Sequence, residues 1–293
     1  MTTLGNTFNL IFMFDAPILP ASPAAQPATR MQRSFGRGFL QVKSKGGRSR
    51  IADLYQQGCA KIRLPRQHGA GLEAVMINSS GGLTGGDRMA WQFTLDDDSE
   101  LTVTSQACER IYKASADIAR SDIALKLGEN ARLNWLPQET ILFDRSSFNR
   151  SLSVDMAANA TLLLGEAVLF GRQRMGESVK HAFFHDRWRI RRDGNLIHAE
   201  DMGIEGDAAS AFAASTGTNS HPAIATLLLV SPQAEMLLEP VRQIIGDNGG
   251  ASFWQGKLAV RLTAASGHAL RAPLIAALRL LNDGATLPKV WHQ

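Results

Sequence analysis

Through much of this chain an apolar side chain occupies every second position, with polar or small residues between, and that alternation limits the fold more than any other feature. The segments that show it are 101–105, 123–127, 131–135, 152–156, 188–190 and 258–262. A strand with one buried face produces this period, because successive side chains point to opposite sides of a sheet. Turn signals separate the segments at spacings of roughly 8–12 residues. One of these signals, Asp193-Gly194, is typical of a two-residue hairpin. The pattern predicts an all-β sandwich, barrel or β-helix rather than a doubly wound α/β fold.

Helical periodicity is confined to two short stretches near the C-terminal end. Ser231-Pro232 is a good N-cap and first-turn pair, and we expect Pro240 to kink or end the helix that follows. The second stretch is an amphipathic stripe from Leu274 to Leu281, which stops at Asn282-Asp283-Gly284. The sequence thus predicts a mainly β protein, with a large β-helix-like or layered β-sheet architecture and about two short α-helices near the C-terminal end.

The first 30 residues differ in composition from the rest. Residues 17–29 read PILPASPAAQPAT, in which four prolines deny a regular helix and little apolar surface is available for burial. We therefore predict a mobile arm over residues 1–30 and a single β-rich domain over residues 31–293.

Cysteine use and hydropathy predict a cytoplasmic protein. Cys59 and Cys108 form no CxxC motif, so neither a disulfide framework nor a cysteine zinc site is expected. The apolar run Leu10–Phe14 is short, has no preceding Lys or Arg, and is closed by Asp15, so it does not resemble a signal peptide. No stretch approaches the ~20 apolar residues of a membrane span, so no membrane partner is expected.

The charge balance does not favour nucleic acid as a partner. The net charge is +4, but 31 basic residues face 27 acidic ones and no block of five like charges occurs. A surface of mixed charge fits this composition better than a basic face that binds nucleic acid.

A dense glycine cluster at residues 80–88 reads SGGLTGGDR. A loop that cradles phosphate needs a Lys and a Ser or Thr after its last glycine, whereas Asp87 stands there and would repel phosphate. The cluster also precedes a strand-like segment rather than a helix. We interpret it as a tight turn with positive φ at several positions.

The sequence shows no local hydrolase motif. GxSxG and HExxH are absent, and no histidine is paired at short range with a serine or cysteine, although a triad of distant residues stays open. His181 and His185 are the one histidine pair at ligand-like spacing, and Asp186 follows them. Imidazole suits nickel and zinc, so the pair is either a weak surface metal site or two solvated histidines.

Carboxylates within apolar segments are more informative. These are Glu139, Asp144, Glu166 and Glu177. A buried carboxylate must be paired, hydrogen-bonded or hydrated. They are therefore either structural ion pairs, with Arg145, Arg172 or Arg174 as partners, or oxygen ligands along a water-filled passage.

Several of these segments together resemble the UreD (UreH) family of urease accessory proteins. Residues 78–88 are similar to its glycine motif, and residues 135–144 (WLPQETILFD) to its most distinctive motif. Glu166, Gly171-Arg172 and residues 175–177 resemble a third, and the similarity spans roughly residues 33–290. The residues that match the family motifs are Gly81, Gly82, Gly85, Gly86, Asp87, Pro137, Gln138, Glu139, Thr140, Gly171, Arg172 and Gly176.

The resemblance implies a cytoplasmic, β-helix-like protein with a pair of helices and no catalytic residues. It also implies a complex with UreF and the GTPase UreG, which docks on apo-urease and delivers nickel through an internal tunnel. Nickel would be handled transiently, with no tightly bound cofactor, and Glu139, Asp144, Glu166 and Glu177 are the candidate conduit residues. Two other hypotheses stay open: a metal-dependent hydrolase that uses His181, His185 and Asp186, and a purely structural adaptor.

Overall fold

The computed structural model describes residues 32–66, 69–172, 175–208, 210 and 220–292, so the predicted arm over residues 1–30 lies outside the described residues. The described residues are dominated by β-strands, which confirms the prediction of a mainly β protein. In chain order the strands are β1 (Phe35–Lys45), β2 (Arg48–Gly58), β3 (Ala60–Arg63), β4 (Leu72–Asn78), β5 (Arg88–Leu95), β6 (Glu100–Ser105), β7 (Glu109–Ile111), β8 (Ala119–Leu127), β9 (Arg132–Leu136), β10 (Thr140–Leu142), β11 (Ser147–Met156), β12 (Thr161–Phe170), β13 (His181–Arg192), β14 (Asn195–Asp207), β15 (Ala223–Val230), β16 (Gly249–Trp254) and β17 (Lys257–Ala264).

The strands form two large sheets. The first has the order β14-β13-β11-β8-β5-β1-β2, and the second has the order β16-β17-β15-β12-β9-β6-β4-β3. The short strands β7 and β10 pair in parallel with each other, and β10 pairs with the end of β12. The hairpin predicted at Asp193-Gly194 joins β13 to β14, and both residues have positive φ.

Four successive stretches of chain each give one strand to each sheet. The pairs are β4 with β5, β6 with β8, β9 with β11, and β12 with β13. Strands from successive stretches are parallel neighbours, as β4-β6-β9-β12 in the second sheet and β5-β8-β11-β13 in the first. The chain is therefore wound into stacked, solenoid-like coils, which confirms the predicted β-helix-like architecture.

The inward-facing residues of the two sheets share one hydrophobic core. In the first sheet, Trp91, Ile123, Leu152 and Trp188 are in register across four strands, and all are buried. Leu101, Leu133 and Leu162 form the equivalent row in the second sheet. The alternation in the sequence places these rows inside, because an inward residue recurs at every second position of each strand.

Two α-helices, α1 (Leu238–Ile245) and α2 (Gly267–Leu281), occur in the C-terminal part of the described chain, as predicted. Helix α2 begins after Ser266, whose Oγ accepts a hydrogen bond from the Ala269 amide. Its apolar stripe belongs to a second hydrophobic cluster that includes residues of β15 and β17, and it ends at Leu281 as expected.

The predicted beginning of the first helix was wrong. Ser231 Oγ accepts a hydrogen bond from the Gln233 amide and so stabilises a turn, and α1 begins only at Leu238. Pro240 lies in the first turn of α1, where a missing N–H leaves no hydrogen bond unmade. Pro240 therefore neither kinks nor ends the helix.

None of the described helices is long and apolar enough to cross a membrane. Cys59 and Cys108 are both free thiols in the described structure.

Candidate functional site

The chain turns a corner between β9 and β10, and three connections fix the corner. The Gln138 amide donates to Ser105 Oγ at 2.9 Å, which ties the corner to the preceding coil. Glu139 Oε1 accepts a hydrogen bond of 2.8 Å from Arg271 of α2. The Trp291 indole donates to the Leu136 carbonyl oxygen at 3.1 Å. Proline at 137 has no N–H to satisfy at this bend.

A buried charged cluster lies directly behind this corner, and Arg150 is its centre. Arg150 Nε and Nη2 donate to the two oxygens of Asp186 at 2.9 and 2.6 Å. Arg150 Nη1 donates to Glu166 Oε2 at 2.5 Å and to Thr140 Oγ1 at 3.3 Å. The Trp135 indole donates to the other oxygen of Glu166 at 2.8 Å. We call Arg150, Glu166 and Asp186 the Arg150 centre.

Strand register brings the Arg150 centre together. Arg150 of β11 and Asp186 of β13 are direct neighbours in the first sheet, and both occupy inward positions. Glu166 occupies a buried position of β12 in the second sheet. All three residues are 5% exposed or less, so each charge depends on its protein partners rather than on bulk water.

The Arg150 centre holds two carboxylates and one guanidinium. Burial alone would lower the pKa of Arg150, but Coulomb attraction to Asp186 and Glu166 outweighs it, so this pKa is raised. Burial raises the pKa of Glu166, Arg150 opposes that effect, and Asp186 adds to it, so the net shift is upward. With both carboxylates ionised, the centre carries one surplus negative charge.

A cavity of about 210 Å³ reaches the Arg150 centre. Exposed residues such as Gly81 and Gln106 line its outer part, whereas the buried Arg150 and Glu166 line its inner part. Of the predicted conduit residues, Glu166 is the one that lines this cavity. Glu139 adjoins it through the lining residues Gln138 and Thr140.

A second carboxylate, Glu109, also lines this cavity. Asn78 Nδ2 donates to Glu109 Oε1 at 3.0 Å, and Asn78 belongs to the glycine motif. Burial raises the pKa of Glu109 to about 7, although the hydrogen bond from Asn78 opposes the shift. Glu109 therefore exchanges a proton near neutral pH. Sequence analysis missed it, because β7 is too short to show any alternation.

Cys108 lies beside Glu109 and also lines the cavity. Its Sγ is 3.3 Å from Glu139 Oε2. Burial and the Glu139 charge raise the pKa of Cys108 to about 12. The group is thus a neutral thiol at pH 7, and a thiol is a poor metal ligand compared with a thiolate.

The glycine motif forms the tight turn that the sequence predicts. Gly81, Gly82 and Gly86 have φ of 79°, 148° and 89°. A Cβ on Gly82 would lie 2.6 Å from the Arg110 carbonyl oxygen, so the turn and the next coil can approach only because this residue is glycine. Asp87 is buried and accepts hydrogen bonds from the Ser34 and Thr84 amides at 2.7 and 2.8 Å.

Asp144 and Glu177 lie together at another corner, away from the cavity lining. Asp144 Oδ1 accepts hydrogen bonds from the Lys180 and His181 amides at 2.8 and 3.0 Å. Glu177 pairs with Arg172 at 2.8 Å, one of the pairings that the sequence left open. The pKa of Glu177 is lowered, first by the hydrogen bond from Arg172. These contacts indicate a structural role for both carboxylates.

His181 and His185 lie on the outer face of β13, and His185 Nε2 is 3.4 Å from Asp201 Oδ1. Residues four apart in a strand are separated by about 13 Å, so the two rings would bind separate ions rather than share one. The next residue, Asp186, points inward to Arg150. Among the described residues, no group of three or more His, Cys, Asp or Glu side chains is placed to hold a metal ion.

Comparison with known proteins gives a consistent result. Residues 35–292 match the family described as UreD urease accessory protein. The chain is 50% identical over 268 residues to the urease accessory protein UreD of Agrobacterium fabrum, covering 92% of this chain and 94% of that protein. It is 51% identical over 269 residues to that of Rhizobium johnstonii, covering 92% and 98%. It is 50% identical over 264 residues to that of Mesorhizobium japonicum, covering 89% and 94%.

Proposed function

The chain belongs to the UreD family of urease accessory proteins, and we propose that it assists the insertion of nickel into apo-urease in the cytoplasm. In this proposal it acts with UreF and the GTPase UreG, docks on the urease subunits, and takes up nickel along the cavity that reaches the Arg150 centre. Nickel is the cargo, not a resident cofactor.

The observation that carries the proposal is the placement of two carboxylates along one cavity. Glu109 is held beside the glycine turn, and Glu166 lies at the inner end. A conduit must bind its ion weakly at separate points, because a closed cage of four ligands would retain it. Dispersed oxygen ligands meet that requirement.

The surplus negative charge of the Arg150 centre supports passage of a cation. Arg150 compensates only one of the two carboxylates, and burial raises the pKa of Glu166. A divalent cation near Glu166 would offset the remaining charge and so lower the cost of keeping this carboxylate ionised. The neutral Cys108 thiol would not trap the ion on its way.

A structural adaptor is the competing function. Candidate conduit carboxylates form ion pairs: Glu139 with Arg271, Glu166 with Arg150, and Glu177 with Arg172. These ion pairs would also be expected in a protein that only holds its partners together. The hydrolase hypothesis has less support, because Asp186 and the two histidines lie on opposite faces of β13.

Co-expression with the urease subunits, UreF and UreG tests the proposal. Glu109→Gln and Glu166→Gln are compared with Glu129→Gln, which alters an exposed turn residue. We expect both cavity variants to assemble normally and to lower the nickel content and activity of urease, while the Glu129 variant matches wild type. Normal nickel content with the double variant Glu109→Gln/Glu166→Gln would favour the adaptor.

A further inference from the structure

The hairpin between β16 and β17 covers a buried lysine. Lys257 begins β17, is 1% exposed, and lies opposite Trp254 at the end of β16. Gln255 and Gly256 form the two-residue turn, with φ of 49° and 75°. Trp254 and Gln255 are exposed, and both contact the Lys257 ammonium group.

Lys257 has weak partners for a charged side chain that is only 1% exposed. Its Nζ is 3.3 Å from Gln255 Oε1 and 4.2 Å from the centroid of the Trp254 ring. A neutral amide oxygen and an aromatic face stabilise an ammonium group less than a carboxylate does. In the described part of the chain, Lys257 forms no ion pair.

Arg192 adds a second cation at the same place. It ends β13 and packs against the turn, with Nη1 and Nη2 3.6 and 3.8 Å from the position of a Cβ on Gly256. Its Nε is buried and has no hydrogen-bond partner in the described structure. Arg192 likewise forms no ion pair with any described carboxylate.

Glu200 of β14 does not compensate these two cations. Glu200 is already engaged by Arg261 and by His198, whose Nε2 lies 3.6 Å from Glu200 Oε2. Burial lowers the pKa of Lys257, and repulsion from Arg192 lowers it further. Two cations without an acidic partner, one of them with an unused buried donor, are costly unless an anion joins them.

We propose that Lys257 and Arg192 form a binding site for a small oxyanion, either a carboxylate or a phosphate, beneath the Trp254–Gly256 turn. The guanidinium group presents a planar set of donors that matches such oxygens, and the ammonium group contributes a point charge. The burial of Lys257 restricts the ligand to a small anion. We call Lys257 and Arg192 the Lys257 site.

Titration of the full-length chain with inorganic phosphate or formate tests the site, with chloride holding the ionic strength constant. Calorimetry gives the dissociation constant, and thermal unfolding gives the shift of the melting temperature. We expect saturable binding that raises the melting temperature of wild type. Lys257→Met and Arg192→Met should each weaken binding about tenfold or more, the effect of one lost charge-assisted hydrogen bond.

Arg187→Met is the matched control, because it removes an exposed cation from the outer face of the same strand as Arg192. Binding of phosphate alone or of formate alone supports the site and identifies its preferred geometry. Binding of neither anion, or equal binding by wild type, Lys257→Met and Arg192→Met, overturns the proposal. If one methionine variant does not fold, the other decides the question.

Discussion

The Arg150 centre and the Lys257 site both contain buried charged side chains. The Arg150 centre has an excess of negative charge, whereas the Lys257 site has an excess of positive charge. The Arg150 centre has two carboxylates for one guanidinium, whereas the Lys257 site has two cations and no described acidic partner. The first adjoins a cavity lined by a further carboxylate, and the second lies under an exposed turn. One region is suited to a cation and the other to an anion.

The two regions also differ in how completely their charged groups are hydrogen-bonded. All three nitrogens of the Arg150 guanidinium donate to carboxylate oxygens, and both oxygens of Glu166 accept hydrogen bonds. At the Lys257 site one buried donor is unused. Loss of a cation should therefore destabilise the first region and stabilise the second, and this reversal of sign is the most direct test of the comparison.

The largest effect is expected from Arg150→Met. The substitution leaves Glu166 and Asp186 buried with no cation, and breaking a buried pair in this way costs about 3–5 kcal/mol of unfolding free energy. Urea unfolding at pH 7 measures the loss, with Arg187→Met as an exposed control that should match wild type. A loss no larger than that of the control would show that hydration, rather than Arg150, compensates the two carboxylates.

Glu109→Gln should change stability in a pH-dependent way. Folding raises the pKa of Glu109 from 4.5 to about 7, so the folded state binds this proton more tightly than the unfolded state does. Wild-type stability should then fall as pH rises through that interval, by about 3 kcal/mol. The variant should lack this fall and be more stable than wild type at pH 8 but not at pH 4.

Unfolding curves of wild type, Glu109→Gln and Glu129→Gln between pH 4 and pH 8 make the comparison. The Glu129 variant changes an exposed carboxylate and should follow wild type throughout. If Glu109→Gln followed wild type as well, Glu109 would be hydrated like a surface group. The cavity beside the Arg150 centre would then hold less buried negative charge, and its contrast with the Lys257 site would be weaker.

Glu166→Gln should cost less than Arg150→Met, although it alters the same centre. Arg150 keeps both hydrogen bonds to Asp186, so one cation still faces one carboxylate. The expected loss is about 1–2 kcal/mol, for the weakened hydrogen bonds to Arg150 and Trp135. Unfolding by urea checks the order of the two variants. A loss as large as that of Arg150→Met would mean that the centre has no surplus negative charge.

The sequence predicts the β-strands and their buried faces well, because apolar residues recur at every second position in many of the strands. Inward residues such as Ile123, Leu152 and Trp188 follow directly from alternation, and the Asp193-Gly194 turn follows from its two residues. The beginning of α1 could not be predicted from local preference. Ser231 can cap a turn as well as a helix, and its hydrogen bond to the Gln233 amide decides between them.

The Arg150 centre shows what local sequence does not encode. Glu166 is recognisable as a carboxylate in an apolar strand, but its partner Arg150 is 16 residues away and in the other sheet. Asp186 is 36 residues from Arg150 and meets it only through the register of parallel strands. One signal was available: Arg150 takes an inward position between Phe148 and Leu152. A charge at such a position indicates a buried partner.

Lys257→Met is the smallest of these predicted effects, and its sign opposes that of Arg150→Met. Methionine keeps the length and apolar stem of lysine but removes a buried charge that lacks a carboxylate partner, which is neutral or favourable in comparable sites. In chloride buffer without other anions, we expect a gain of about 1 kcal/mol in unfolding free energy, measured by urea unfolding at pH 7. Because the pKa of Lys257 is lowered in the folded state, the unfolded chain binds this proton more tightly, and wild-type stability should rise with pH between the pKa of Lys257 in the folded chain and its higher pKa in the unfolded chain. The gain from Lys257→Met should therefore shrink as pH rises through this interval, whereas Arg187→Met, which removes an exposed cation, should follow wild type at every pH. A loss of stability at pH 7 would mean that Gln255 and Trp254 satisfy the ammonium group, and the contrast with the Arg150 centre would not hold.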